Sequence, residues 1–283
     1  MREDWFEEEC LKQLPWIREK GKEIGQERER EIEGKQAGRE GDVDRSTGTE
    51  KGLAKRPCRV LYLFSGASRK GSFGEELRKK AGRLQLPLVV TEMDTLNAKR
   101  KHNFLRPQVR EQVLRTISSG EVDAIVASPP CSTFSRARWA NRQGPKPLRS
   151  ARFPRGFARL KAKDRQKTEE ANTLVDFAVE ALTEIVKRGG LALLEHPEDL
   201  GKRTEGGEPG SVWRWGSVEA LAKLPGVTWG ALFQRDWGAP YSKPTRLLGN
   251  LPILTNILFE GPPCFADGWY KGPLPSQQTP RRN

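Results

Sequence analysis

Histidine and cysteine are scarce in this sequence, and no two cysteines form a Cys-x-x-Cys pair. The chain contains only His102, His196, Cys10, Cys58, Cys131 and Cys264. Structural zinc sites need clustered ligands, and disulfide frameworks need regularly paired cysteines. The sequence therefore argues against both, and we expect no bound metal.

Long apolar runs are also lacking. No stretch approaches the roughly 18 apolar residues that a membrane-spanning helix needs, and residues 1–9 are acidic rather than basic and then apolar, as a secretory leader would be. We expect an intracellular protein with no membrane partner, although the sequence leaves the compartment open, the nucleus included, as well as the oligomeric state. With 283 residues and a 35% hydrophobic content, one large α/β domain with extensions is expected.

Positive charge is in excess and unevenly distributed. The net charge is +13, yet residues 1–50 hold 10 basic and 15 acidic residues. Residues 136–167, called the basic segment below, hold 12 basic residues and one acidic residue. Its prolines and glycines predict a long loop, and its charge suits a phosphate backbone. The alternative is a solvated, disordered surface. Candidate nucleic-acid contacts in it are Arg136, Arg138, Arg142, Lys146, Arg149 and Arg152.

The order of apolar runs predicts an alternation of strands and helices. Residues 1–56 predict a charged tail, disordered or a fraying helix, before an α/β domain at 57–260 and a Pro-rich tail at 261–283. The predicted strands are 60–64, 87–92, 122–127, 191–195, 227–233 and 246–251, and the predicted helices are 73–81, 108–118, 168–187 and 218–224. This alternation indicates a parallel, doubly wound, Rossmann-like sheet.

A two-proline turn follows the third predicted strand, in the sequence Ser128-Pro129-Pro130-Cys131-Ser132-Thr133-Phe134-Ser135. The prolines stop the strand, because each removes a backbone donor and fixes φ. Cys131 is therefore expected on a stiff loop at the carboxyl edge of the sheet, where ligands bind in open α/β folds. A buried structural cysteine is the alternative interpretation.

Four such loops together resemble the cytosine-C5 DNA methyltransferases. Leu63-Phe64-Ser65-Gly66 is similar to the family's first motif, the Pro-Pro-Cys loop to its nucleophile loop, and Glu195-His196-Pro197 to its Glu-Asn-Val motif. Ser242-Lys243-Pro244-Thr245-Arg246 resembles the basic motif that follows. The order is the family's order, and the resemblance covers roughly residues 58–250. It implies the S-adenosylmethionine-dependent methyltransferase fold.

The resemblance implies a catalytic role for three residues. Cys131 would add to C6 of cytosine as a thiolate, favoured by Arg136 and Arg138, and so activate C5 for methylation. Glu195 would hydrogen-bond the N3 edge of the base. Arg246, with Lys243 as a nucleic-acid-binding partner, would hold the base carbonyl or a phosphate. The alternative for Glu195 is a strand-end carboxylate paired with a nearby arginine, and the alternative for Arg246 is a surface cation at the start of a strand.

The resemblance also implies S-adenosylmethionine as cofactor. The expected contacts are Phe64, Ser65, Gly66, Glu92, Met93, Asp94 and Pro129, with Asn103 as a further candidate near the adenine. Glu92 and Asp94 compete as ligands of the ribose, and Met93 would pack on the adenine.

The chain departs from the family pattern in two places. Tyr62 stands where the family has an acidic residue, and only 33 residues follow Asn250, too few for the usual target-recognition domain and final motifs. The leading hypothesis is cytosine-C5 methylation of DNA, with RNA as a second possible substrate. The alternatives are a catalytically inactive nucleic-acid-binding protein of the same fold and methylation of an exocyclic amine.

Overall fold

The computed structural model describes residues 56–140 and 143–275, so nearly all of the predicted tail at 1–56 lies outside the described residues. The strands are β1 (Cys58–Leu63), β2 (Leu88–Met93), β3 (Ala124–Ala127), β4 (Leu191–Pro197), β5 (Thr228–Phe233), β6 (Pro244–Gly249), β7 (Phe259–Glu260), β8 (Cys264–Ala266) and β9 (Trp269–Gly272). The α-helices are α1 (Phe73–Arg83), α2 (Thr95–Ala98), α3 (Pro107–Ser118), α4 (Ala137–Ala140), α5 (Ala162–Lys187), α6 (Gly216–Ala222) and α7 (Leu254–Ile257).

The first seven strands form one sheet, in the order β2-β1-β3-β4-β6-β5-β7. β1 pairs in parallel with β2 and β3, and β3 pairs in parallel with β4. β6 lies antiparallel between β4 and β5. Strands β1 to β5 therefore run in one direction, and the protein is α/β with a mostly parallel mixed sheet.

The expectation of a wholly parallel sheet is wrong at β6. A parallel return needs a crossover of a dozen or more residues, usually a helix, whereas the β5–β6 connection has only the 3₁₀ turn Gln234–Trp237 and a left-handed Gly238 at φ 93°. The reversal brings the start of β6 to the carboxyl end of β4, where Thr245 pairs with Pro197. Residues just before β6 therefore lie at the edge where ligands bind in such sheets.

Helices cover both faces of the sheet because side chains alternate along each strand. Leu61 and Leu63 join the core formed with α3 and α5. Tyr62 points to the other face, where its ring meets Phe73 of α1 at 5.3 Å. Helix α5 carries most of the core: its fully buried Leu182 belongs to the same cluster as Leu194 of β4.

Two segments predicted to be irregular are more ordered than expected. Within the basic segment, α5 already begins at Ala162, and a β-bridge joins Ser150 to Pro209. The predicted Pro-rich tail contains the β8–β9 hairpin, and Leu274 beyond it is buried against Ala231 and Phe233 of β5. Both segments are held by partners that are distant in the sequence, which local composition does not reveal.

Candidate functional site

The turn after β1 is held in an uncommon backbone conformation. Phe64 has φ 60° and Gly66 has φ 73°, and positive φ is rare for a residue with a side chain. The Phe64 ring is anchored against Phe104 at 5.0 Å. Asp94 fastens the other side of the turn, because its Oδ2 accepts from Gly66 N at 3.0 Å and its Oδ1 accepts from Leu96 N at 2.8 Å.

Asn97 is a second brace of this turn that sequence reasoning missed. Its Nδ2 donates to Gly66 O at 2.9 Å and to Ser65 Oγ at 3.3 Å, and its Oδ1 accepts from Ser68 N at 2.8 Å. An Asn three residues after Asp94 on a short helix gives no signal that distinguishes it from a surface residue. The predicted residues Ser65 and Gly66 are thus held by α2, whose side chains cross to β1.

A cavity of about 340 Å³ lies beside this turn and is called the Asp94 cavity. Its lining residues are Phe64, Asp94, Thr95, Leu96, Asn103, Phe104, Leu105, Pro130 and Leu174. Three predicted cofactor contacts, Phe64, Asp94 and Asn103, therefore meet at one place. The prolyl residue that lines the cavity is Pro130, whereas Pro129 is buried.

Two other predicted cofactor contacts do not reach this cavity. The Glu92 carboxylate faces α1, where it pairs with Arg78 at 2.9 Å and lies against Gly74, a position where any Cβ would come within 2.5 Å of it. Met93 points to the opposite sheet face and lines a separate groove between β2 and α3. Successive side chains of a strand point to opposite faces of the sheet, which separates Glu92 from Met93. Of the two acids considered as ribose ligands, Glu92 and Asp94, only Asp94 lines the cavity.

Cys131 lines a second cavity, of about 480 Å³, called the Cys131 cavity. The loop is fixed locally, because Phe134 N donates to Cys131 O at 2.9 Å. Arg136, His196, Tyr241 and Lys243 are among the other lining residues. Pro130 lines the Asp94 cavity and Cys131 lines this one, so consecutive residues of the Pro-Pro-Cys loop contribute to the two cavities.

Glu195 and Lys243 form an ion pair beside Cys131. Lys243 Nζ lies 3.1 Å from Glu195 Oε1, and both side chains are only partly exposed. Burial raises the pKa of the Cys131 thiol, while Lys243 lowers this pKa and Glu195 raises it. The cation that favours the thiolate is therefore Lys243.

The two arginines expected to activate Cys131 have other partners. Arg136 Nη1 donates to Gly201 O at 2.6 Å, and Arg138 Nε donates to Ser132 O at 2.8 Å. Arg136 thereby forms part of the cavity wall, and Arg138 fastens the loop that follows Cys131. The charges that act on the Cys131 thiol are those of Lys243 and Glu195.

Tyr62 extends the polar site, although it replaces the acid of the resembled family. Its hydroxyl is hydrogen-bonded to the Ser128 side chain, and burial raises the pKa of Tyr62. Glu195 and Glu92 are close enough to raise this pKa further. The carboxyl ends of β1, β3 and β4 are thus linked by polar groups on one sheet face.

Arg246 is a structural residue, in contradiction to its predicted substrate contact. Its side chain is 0% exposed and binds Glu198 through two hydrogen bonds of 2.7 and 2.8 Å. Its Nη1 donates to Gly261 O at 2.7 Å. Arg246 is the third residue of β6, so it lies inside the sheet while Lys243 lies at the edge.

Arg149 likewise cannot contact a nucleic acid, because it is 1% exposed. It donates to Thr133 Oγ1, Asn172 Oδ1 and Pro154 O at 2.8 to 2.9 Å, and its guanidinium stacks 3.8 Å from the Phe134 ring centroid. Lys146 and Arg152 remain exposed, and Arg142 lies outside the described residues.

The residues around the Asp94 cavity fit an adenosine-containing cofactor. Its volume lies within the range of small-molecule sites, and its walls combine aromatic and aliphatic side chains with the amide of Asn103 and the carboxylate of Asp94. A Cβ at Gly66 would meet no atom within 4 Å, so the turn leaves open space for a ligand to approach the backbone.

Neither a cluster of metal ligands nor a membrane-spanning helix occurs in the described residues. Among residues 56–140 and 143–275, no group of three or more His, Cys, Asp or Glu side chains could hold a metal ion. No helix in the same ranges combines the length and apolar character needed to cross a membrane. In comparisons with known proteins, no family model and no curated protein matches this chain.

Proposed function

We propose that this protein is an S-adenosylmethionine-dependent methyltransferase that methylates C5 of cytosine in a nucleic acid, with DNA as the first candidate, through a covalent adduct of Cys131. One observation carries the proposal. Pro130 lines a cavity suited to an adenosine-containing cofactor, and the next residue, Cys131, lines a cavity that also contains Lys243, the ion-pair partner of Glu195.

The sheet supports a Rossmann-like methyltransferase fold. Strand order reverses between β1 and β3, since the chain continues from β1 to β2 on one side and then returns to β3 on the other. In open α/β sheets, the crevice at this reversal binds ligands at the carboxyl ends of the strands. Phe64 follows β1, and Pro130 follows β3, so both flank that crevice.

The chemistry assigned to Cys131 begins with a proton transfer. Loss of the thiol proton gives a thiolate, and its electron pair forms the S–C6 bond while the C5–C6 double bond supplies an electron pair to C5. Lys243 favours the thiolate by its charge. The electron pair at C5 would take the methyl group as its bond to the donor sulfur breaks. The C5 proton would then pass to water, its bonding pair would restore the C5–C6 double bond, and the S–C6 pair would leave with the thiolate.

Glu195 and Lys243 would act on the base together. Glu195 is assigned to the N3 edge of the cytosine, and Lys243 holds its carboxylate in place at 3.1 Å. Because Arg246 is committed to Glu198, Lys243 takes the cationic role that the basic motif implies. A reactive carbon in a duplex is stacked, so the substrate is a flipped or single-stranded nucleotide.

The cofactor would lie in the Asp94 cavity. Bound S-adenosylmethionine supplies the methyl group as a sulfonium. Asp94 would accept hydrogen bonds from the ribose hydroxyls, and Asn103 would contact the adenine edge, because both residues line the cavity. Phe64 and Leu174 supply apolar walls. Pro130 lines this cavity and precedes Cys131 in the chain, so it would help to position the methyl donor relative to the thiolate.

A covalent trap tests the proposal. DNA or RNA containing 5-fluorocytosine is incubated with the protein and S-adenosylmethionine, and the products are separated on a denaturing gel. A fluorine at C5 cannot leave as a proton does, so the S–C6 bond should persist. The adduct should vanish in Cys131→Ala and persist in Cys264→Ala, which removes another, exposed cysteine. An adduct retained in Cys131→Ala would refute the assignment.

A catalytically inactive nucleic-acid-binding protein is the second candidate. Two observations favour it: Glu92 is bound by Arg78 instead of lining the cofactor cavity, and burial raises the pKa of the Cys131 thiol. Binding of S-adenosylmethionine and nucleic acid without any adduct, on either DNA or RNA, would favour this candidate over the enzyme.

A further inference from the structure

A groove outside the candidate site lies on the sheet face that α3 covers only in part. It has a volume of about 730 Å³ and runs between β2 and α3. Along β2, Val89 and Thr91 lie beside Arg59 and Leu61 of β1, and all four side chains share this face. Val89 is 46% exposed, which is unusual for a strand valine beside a helix-covered face.

The groove combines an apolar floor with a cationic rim. Leu61, Val89, Val109 and Val113 are among the apolar lining residues. The charged lining residues are Arg59, Arg100, Lys101, Arg106 and Glu121, four basic groups against one acidic group. Such a surface suits an acidic segment that carries large apolar side chains, because burial and charge would then act together.

The chain contains a segment of this chemistry at its amino terminus. Residues 5–17 hold three acidic residues, Glu7, Glu8 and Glu9, and one basic residue, Lys12. Apolar side chains are interspersed and follow, at Trp5, Phe6, Leu11, Leu14, Trp16 and Ile17. We propose that residues 5–17 bind in the groove between β2 and α3 of the same chain.

The point at which the chain enters the described fold supports this occupant. Arg56 is paired with Asp123, and Arg59 N donates to the same carboxylate at 2.8 Å. Arg59 is itself a lining residue of the groove. The 38 residues between Ile17 and Arg56 are enough for residues 5–17 to reach any part of the groove along the six-residue strand β2, because an extended chain spans about 3.3 Å per residue.

The native Cys10 lies within the proposed segment and allows a direct test. In the full-length chain, Val89→Cys places a thiol in the groove, and mild oxidation followed by peptide mapping reports its disulfides. Leu84→Cys is the matched control, because Leu84 is 41% exposed and follows α1 on the other sheet face. Cys58 should compete poorly, since burial raises the pKa of its thiol to about 12.

We expect an intrachain disulfide from Cys10 in Val89→Cys, at least about tenfold more abundant than in Leu84→Cys at equal oxidation time. Changing Glu7, Glu8 and Glu9 to Lys should reduce it several-fold. If Val89→Cys does not fold, Thr91→Cys serves in its place. Equal yields at the groove and control positions, or no disulfide from Cys10, would overturn the proposal. So would disulfides that form only between chains and increase with protein concentration, because the occupant would then be a second copy.

Discussion

Lys243 and Glu195 form an ion pair where the antiparallel strands β6 and β4 lie side by side, with Lys243 Nζ and Glu195 Oε1 3.1 Å apart. Lys243 immediately precedes β6, and Glu195 lies near the end of β4. Only the antiparallel direction of β6 brings these two positions to the same edge. The two members of the pair act in opposite directions on Cys131: Lys243 lowers the pKa of the thiol and Glu195 raises it.

Opposite shifts are expected when the two partners are neutralised. Lys243→Met should raise the pKa of Cys131, whereas Glu195→Gln should lower it, because each variant removes one of two opposing charges. At pH 7, the alkylation rate of Cys131 by iodoacetamide should fall several-fold in Lys243→Met and rise in Glu195→Gln. Rates measured by peptide mapping across pH give both values. Shifts of the same sign would show that the ion pair does not act on this thiol.

Gly66 and Gly71 provide a matched pair at the candidate cofactor turn. Both have φ 73°, and a Cβ at either would meet no atom within 4 Å. Replacement by Ala should therefore cost each a similar amount, about 1 to 2 kcal/mol of stability. Gly66 is hydrogen-bonded to Asp94, which lines the candidate cofactor cavity, whereas the Gly71 amide donates to Glu75. Only the Cβ of Gly66→Ala should therefore crowd a ligand at that cavity and weaken S-adenosylmethionine binding, by roughly tenfold in calorimetric titration. Equal binding in the two variants would place the cofactor elsewhere.

Arg246 is expected to act on stability. Arg246→Met leaves the Glu198 carboxylate buried without its cationic partner, and breaking such a pair costs about 3 to 5 kcal/mol. Urea denaturation should show this loss. The double variant Arg246→Met with Glu198→Gln should recover part of it, because the uncompensated charge is gone. A stable Arg246→Met that loses only nucleic-acid affinity would restore the substrate contact predicted from the sequence.

Exposure divides the basic segment into two groups. Arg152 is exposed, whereas Arg149 is 1% exposed. The Arg149 guanidinium donates hydrogen bonds to Thr133, Pro154 and Asn172. Arg152→Ala should leave the urea midpoint unchanged and reduce the salt dependence of nucleic-acid binding by about 0.7 to 0.9 in log–log slope. Arg149→Met should lower the urea midpoint instead. An unchanged slope in Arg152→Ala would remove it from the proposed interface.

Local pattern was sufficient to predict most elements but not their long-range relationships. Helix α3 was expected over residues 108–118 and spans Pro107–Ser118, because its apolar residues recur at helical spacing. Helix α5 begins at Ala162, six residues before the expected start. Those residues are mostly charged and give no apolar periodicity.

The candidate site likewise has one part that the local sequence predicts and another that depends on long-range contacts. Cys131 follows a buried strand and two prolines, which are features of the sequence itself. The difference between Lys243 and Arg246 depends instead on how far β6 extends and on Glu198 as a buried partner. The difference between Glu92 and Asp94 depends on which sheet face each carboxylate occupies. Neither relationship is encoded within a few residues of the motif.

His196 should make the fold sensitive to acid. It is 1% exposed between Phe134 and Trp213, and neither ring nitrogen has a hydrogen-bond partner. Burial, together with the charges of Lys243 and Arg149, lowers its pKa from 6.5 to about 3. Between these values the unfolded chain binds a proton that the folded chain excludes. The stability contributed by neutral His196 is thus present above pH 6.5 and is lost as the pH falls toward 3.

The variant His196→Phe removes this proton and keeps an aromatic ring in the cluster. Urea denaturation from pH 7.5 to 4.5 should show parallel curves for the two proteins above pH 6.5. Below it, the wild type should lose up to about 1.4 kcal/mol per pH unit more than the variant, the value for one proton. Curves that stay parallel throughout would mean that His196 is protonated within the fold or accepts a bond from an enclosed water. The acid response would then come from the carboxylates alone.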